Sequence, residues 1–313
     1  MKSKAFLALL SLISLIPGCM QIIQKPITRR FDIKSKPSMP TPLQTAIDVQ
    51  NPHVAPPTIT IWVHGTRLLP DGMFEQFFFS KPGLNHYTSI DKKYHQHRLA
   101  ATLIQADPEL FPAEHFYLFG WNGKLSFKER EIAARTLYTD LKVLREEYKK
   151  KYGAEPIIRM LAHSHGSNVI LLLAKVRDLE DTSFFVNQLI LLATPVQKET
   201  KNYACANCFG KVYSLYSMLD ILQIIDPQGL QQKETQALFS ERFFPAHEKI
   251  EQVAIKINNR SIMHIEFVKR KFMAQIPNIL AEIDSWHQTS SLCANDWARK
   301  DKCLCINTKR PLA

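Results

Sequence analysis

The stretch Ile157-Ile-Arg-Met-Leu161-Ala162-His163-Ser164-His165-Gly166 passes from an apolar run into a turn of small and polar residues, and apolar spacing resumes from Asn168 to about Leu179. The first part has the length and composition of a buried strand, the last the periodicity of a helix packed on a sheet. A strand that enters a helix through so few residues needs small side chains where the turn is tightest. A larger side chain two places before or after Ser164 would collide with the neighbouring strand or with the start of the helix. Ala162 and Gly166 occupy those two places.

Further strands are expected at Thr58–Val63, His115–Trp121, Pro156–Ala162, Val186–Ala193, Lys211–Tyr216 and Val253–Ile257. A long helix is expected between Ser126, which forms a capping box with Glu129, and Gly153 as its stop. Leu137, Leu141, Leu144 and Tyr148 share one face of it. A final helical stretch runs from His264 to about His287, broken at Pro277. There is no internal repeat. Strands alternating with helices predict a mostly parallel sheet covered on both faces.

Set between that strand and that helix, Ala162-His-Ser-His-Gly166 resembles the nucleophile elbow, G-x-S-x-G, of the α/β-hydrolases, with Ala162 in place of the first glycine. The resemblance covers about residues 58–287 and lies in ordered elements more than in residue identity. It implies an α/β-hydrolase fold, and the Pro-rich room before Thr58 suggests that the first strands of larger members are lacking. It also implies a lipase- or esterase-like serine hydrolase that cleaves carboxylic esters and needs no cofactor or metal. The family order is Ser, acid, His. Ser164 is then the nucleophile. Asp220, just past the strand Lys211–Tyr216, is the preferred acid, with Asp226 as the alternative. His264, after the last strand, is the base; His247 precedes that strand and belongs at the wrong end. The resemblance places the oxyanion donors at the N–H groups of His165 and Thr66, with His64 of the His64-Gly65 pair orienting the loop. The stretch Phe119-Gly-Trp-Asn122-Gly-Lys124 would shape the pocket rim. The competing reading is a non-catalytic surface or effector protein on the same scaffold.

Lys2 and Lys4 precede an apolar run from Ala5 to Ile16, too short to cross a bilayer. Ile16-Pro17-Gly18-Cys19 resembles a bacterial lipobox, whose cysteine is lipidated after cleavage; plain secretion and a buried N-terminal helix stay open. Residues 20–57 hold seven prolines and read as an extended tether, or in part as an irregular segment packed on the domain. The expected organisation is a signal peptide over 1–18, a tether over 19–57, the hydrolase domain over 58–287 and a Cys-containing tail over 288–313. The protein is expected to be exported and membrane-anchored, at the outer membrane or cell surface, or else secreted.

With 313 residues, 45% of them hydrophobic, the chain can bury a core, which excludes whole-chain disorder. The formal net charge of +11 admits nucleic acid, an anionic membrane or a solvated Lys-rich exterior. No aromatic-interleaved basic stripe supports nucleic acid. The ten glycines form no phosphate-cradling loop. Four phenylalanines between Gly72 and Phe79 fit an acyl pocket, a membrane-contacting lid or simple core packing. Residues 225–250, with Phe239, Phe243 and Phe244, form a second insertion near the acid. A nonpolar rim favours an ester of moderate to long acyl chain. Of the six cysteines, Cys205, Cys208, Cys293, Cys303 and Cys305 remain beside Cys19. Disulfides suit an exported chain, and a zinc site joining Cys205-x-x-Cys208 to Cys303-x-Cys305 is the alternative.

Overall fold

The computed structural model describes residues 27–32, 56–66, 81–180, 183–224, 242–289 and 302–307. The signal segment, Cys19, the Phe-rich stretch 72–79, Asp226, Phe239 and Cys293 lie outside the described residues.

Each strand expected from the sequence is present within a few residues. They are β2 (Thr58–Val63), β4 (Phe116–Gly120), β5 (Ile157–His163), β6 (Val186–Leu192), β7 (Phe209–Tyr216) and β8 (Ile250–Ile257). Four more join them: β1 (Ile27–Asp32), β3 (Gly83–His86), β9 (Arg260–Ser261) and β10 (Lys302–Asn307). The sheet order is β1-β10-β8-β7-β6-β5-β2-β4-β3, with β9 paired to β8. Only β3 and β9 run antiparallel to their neighbours. This is the mostly parallel sheet expected from the alternation of elements.

Helices cover both faces. On one face lie α2 (Phe127–Tyr152), α3 (His165–Leu171) and α4 (Leu173–Glu180), packed on Ile59, Ile61, Met160, Ala162 and Leu189. On the other lie α1 (His95–Ala106), α5 (Arg270–Met273) and α6 (Ile276–Thr289), packed on Trp62, Leu161, Ile190, Leu215 and Ile255. Successive strand residues thus serve opposite faces, so strands buried on both sides read as unbroken apolar runs. Helix α2 follows its sequence signals closely. The Ser126 hydroxyl accepts the Glu129 N–H at 3.4 Å, and Gly153 ends the helix at φ 75°. Leu137, Leu141, Leu144 and Tyr148 are all buried.

Four expectations are corrected. The helix after Ser164 begins at His165, not Asn168. Pro277 does not break a helix; it stands second in α6, where a missing N–H removes no intrahelical bond, and the interruption falls at residues 274–275. The tether does not lie wholly outside the fold, because β1 within it pairs with β10 as a strand of the sheet. Nor is 288–313 only a tail: β10 inserts between β1 and β8, with Leu304 and Ile306 in the core. The Lys302 ammonium pairs there with the Glu251 carboxylate, both nearly inaccessible. The described strand that precedes Thr58 therefore lies at the far edge from β3.

The cysteine expectations change as well. Cys205, Cys208, Cys303 and Cys305 form no disulfide with one another. Cys208 stands just before β7, whereas Cys303 packs beside Tyr216 at the other end of that strand. A zinc site uniting the two pairs is excluded by that separation. Burial pushes the Cys208 thiol up to about 11.

If β10 belongs to the cooperative core, Leu304→Ala will cost about 2–5 kcal/mol in urea unfolding, as a buried leucine does. A loosely attached tail would give no change in the unfolding midpoint.

Candidate active site

The turn after β5 is where the backbone is most constrained. Ser164 sits at φ 55° and ψ −134°, a region that non-glycine residues rarely enter. Its N–H donates to Leu192 O at 2.9 Å, and its carbonyl accepts the Ser167 N–H at 3.0 Å, so the strain is held from both sides. Ala193, at the end of the adjacent β6, also has a positive φ, 51°, and donates its N–H to Leu215 O at 2.8 Å.

The steric argument for Gly166 holds in detail. A Cβ there would stand 2.7 Å from Val63 O and would overlap His64 O, both backbone atoms that cannot swing away. Gly65 meets the same crossing from the other side: a Cβ on it would lie 2.9 Å from Ser164 Cβ. The loop 64–66 therefore passes directly against Ser164. His64 holds that loop in place. Its Nδ1–H donates to Gly65 O at 2.8 Å, its Nε2 accepts the Trp121 N–H at 3.2 Å, and the Trp121 indole donates to His64 O at 2.8 Å. The two rings stack at 5.8 Å. His64 is thus an orienting residue, and Trp121, from the stretch expected at the rim, is its partner. Thr66 follows on this loop, and His165 opens α3, where a first-turn N–H has no intrahelical acceptor.

Asp220 and His264 come together from loops after β7 and β9. His264 Nδ1–H donates to Asp220 Oδ2 at 2.7 Å, and Asp220 Oδ1 accepts the Gln223 N–H at 3.0 Å. Asp220 is 1% exposed and His264 9%. With Nδ1 engaged, the remaining ring nitrogen of His264 is the one left for proton transfer. The residue before Ser164 reaches the loop that carries His264. His163 donates Nε2–H to the His264 carbonyl at 3.2 Å, with ring centroids 4.5 Å apart. His247 precedes β8, at the opposite end of the sheet. Among the described residues no cluster of His, Cys, Asp or Glu could hold a metal ion.

Behind the turn lies a polar network that the sequence did not reveal. Asn168 donates to Pro195 O at 3.0 Å and to His165 Nδ1 at 3.3 Å, and accepts from Thr200 at 2.5 Å. Thr194 donates to Ser167 Oγ at 2.7 Å, and Gln223 donates to Thr194 O at 2.8 Å. Buried Arg130 reaches Gln197 at 3.0 Å, and Arg242 donates to Ser217 O. The loop after β6 is thereby tied to both the elbow helix and the loop that carries Asp220. None of these residues lies in a motif, and no spacing marked them.

Burial pushes the His163 and His165 imidazoles well below their usual range, aided at His165 by the Arg130 guanidinium. Both rings are neutral donors and acceptors in this network.

No protein-family model matches the chain, and no curated protein matches it significantly. Among solved structures it is similar to a hyperthermophilic esterase from the archaeon Pyrobaculum calidifontis (12% identity, TM-score 0.40, 74% of this chain and 75% of that chain). It is also similar to carboxyl esterase 2 from the mycorrhizal fungus Tuber melanosporum (11%, TM-score 0.37, 73% and 75%). Aspergillus fumigatus lipase B is a third (10%, TM-score 0.37, 71% and 51%). At these scores the likeness carries no argument about activity. The parallel sheet, the helices on both faces and the strand–serine–helix turn are consistent with an α/β-hydrolase fold.

Two outcomes follow from the packing. Gly166→Ala will cost about 1–3 kcal/mol or more, because the colliding atoms are backbone; urea unfolding measures it. Second, an unfolded histidine binds a proton near pH 6.5 that native His163 does not, so His163 makes stability fall as pH drops below about 6.5. His163→Asn will flatten that slope by about 1.4 kcal/mol per pH unit, read from urea unfolding across that range.

Proposed function

We infer that the chain is a serine hydrolase acting on carboxylic esters. The observations that carry this reading are the strained Ser164 at the carboxyl edge of a parallel sheet and the Asp220–His264 pair bonded at 2.7 Å, joined through the bond of His163 to the His264 carbonyl. Ligands bind at that edge in open parallel sheets.

In this reading Ser164 Oγ attacks the ester carbonyl carbon while its proton passes to His264 Nε2. Asp220 keeps the ring oriented and stabilises the imidazolium that forms. The N–H groups of His165 and Thr66 hold the oxyanion, and the amino end of α3 favours negative charge there. When the intermediate collapses, His264 returns the proton to the departing alkoxide and Ser164 keeps the acyl group. A water deprotonated by His264 then releases the acid and restores the serine. No cofactor is needed for any of these steps. We propose also, from the resemblance of Ile16-Pro17-Gly18-Cys19 to a lipobox, that the protein is exported and anchored through an acyl group on Cys19, with secretion as the alternative.

A fluorophosphonate probe will label the wild type and not Ser164→Ala. A folded wild type that stays unlabelled favours the non-catalytic scaffold. Asp220→Asn will lower the rate on p-nitrophenyl esters by about 10³–10⁴, with Asp226→Asn nearly unchanged. The opposite ranking makes Asp226 the acid.

A further inference from the structure

Large apolar side chains are unevenly exposed. Five of those exposed among the described residues (Ile132, Val143, Ile157, Leu179 and Phe185) are scattered over helices α2 and α4 and the amino ends of β5 and β6. Single residues of that kind need no explanation. The other seven gather around the candidate site. Met218, Leu219, Ile221 and Leu222 bracket buried Asp220, and Met263 and Ile265 flank buried His264. The seventh, Phe243, sets its ring edge-on to Tyr216 at 5.2 Å, at the carboxyl end of β7. Polar triad members thus sit inward while their chain neighbours point out. Met263, Ile265 and Leu219 are 61%, 57% and 53% exposed.

We propose that this collar is a docking surface for an anionic lipid bilayer, which presents ester substrate directly to Ser164. The proposal rests on the hydrolase reading above and names the partner of that same site. Two observations select a lipid surface over another protein or a second copy. The chain carries a net charge of +11, which attracts anionic headgroups and repels an identical chain within a Debye length of about 8–10 Å. Basic residues stand at the collar itself: Arg242, which adjoins Phe243, donates to the Ser217 carbonyl, and Arg260, 71% exposed and paired with Glu266 at 3.2 Å, lies close to Met263 in the chain. A rigid protein partner seated on these loops would also close the mouth through which an ester must reach Ser164. A fluid acyl layer covers the same side chains and delivers substrate. Apolar side chains that enter the interface beside basic residues are the combination that holds peripheral proteins on membranes. Among the described residues no helix is long and apolar enough to cross a membrane.

The test uses the chain from residue 19 onward carrying Cys19→Ser, so that neither the apolar run Ala5–Ile16 nor an acyl group at Cys19 contributes. Sedimentation with phosphatidylcholine vesicles is compared with sedimentation with equimolar phosphatidylcholine and phosphatidylglycerol vesicles. The expected result is binding to the anionic vesicles and much weaker binding to the neutral ones. Leu219→Ser and Ile265→Ser will each lower partitioning about five- to tenfold, and together more than either alone. Ile132→Ser with Val143→Ser, on α2, will leave it unchanged, and unfolding midpoints will report that all variants fold. Absence of binding, or binding insensitive to the collar substitutions, overturns the proposal. So does a dimer of the free protein that dissociates in the collar variants. Fluorophosphonate labelling of the same samples separates the two readings. Labelling without vesicle binding removes only the docking surface, whereas vesicle binding without labelling removes the hydrolase.

Discussion

Everything at the carboxyl edge of the sheet depends on one crossing, where the turn after β5 meets the turn after β2. Gly166 lets the first turn of α3 lie against the carbonyls of Val63 and His64, and Gly65 lets the second turn lie against Ser164. Without both glycines the two turns would stand apart by the thickness of a methyl group. That gap would move α3 off β2 and the loop 64–66 off the serine. The His64–Trp121 bonds lock the far side of the crossing, so neither turn can retreat.

The strain at Ser164 has the same origin. A residue in a sparsely populated backbone region costs on the order of 1–3 kcal/mol and persists only where its surroundings over-determine it. Here the surroundings are the Leu192 carbonyl, the start of α3 and the loop at Gly65. Ala193 repeats the device one strand over, so adjacent strand ends both turn sharply at the same edge. The buried bonds of Asn168, Thr194 and Gln223 tie those turns to the loop that carries Asp220. Position is therefore shared among three loops and is not a property of any one of them.

This explains what could be read in the sequence. Ala162, Ser164 and Gly166 were legible because steric demands at a tight turn permit few residue types. Asp220 and His264 were legible because position after a strand places a residue at the working edge. His163 was not, since the motif leaves its place open and its partner is a backbone carbonyl far along the chain. Arg130, Gln197 and Gln223 act through tertiary contacts that no local spacing encodes. Helix α1 escaped notice because its first turn, His95-Gln-His-Arg98, is polar. Strands β1 and β10 were missed because their pairing is with each other, from opposite ends of the chain, and neighbouring prolines concealed β1. An edge strand tolerates prolines beside it because only one side of its backbone must be paired.

Pairing of β1 at the sheet edge also fixes a length. An acyl group on Cys19 would be joined to Ile27 by eight residue steps, at most about 28 Å of chain. Strand β1 runs parallel to its neighbours, so this leash leaves from the amino edge of the sheet, opposite Ser164. The six residues of β1 span about 20 Å. A leash of that reach can run back along the height of the sheet with little to spare. An anchored molecule with its carboxyl edge on the bilayer would thus be confined to one narrow range of tilts, whereas a leash of the whole Pro-rich stretch would let it tumble.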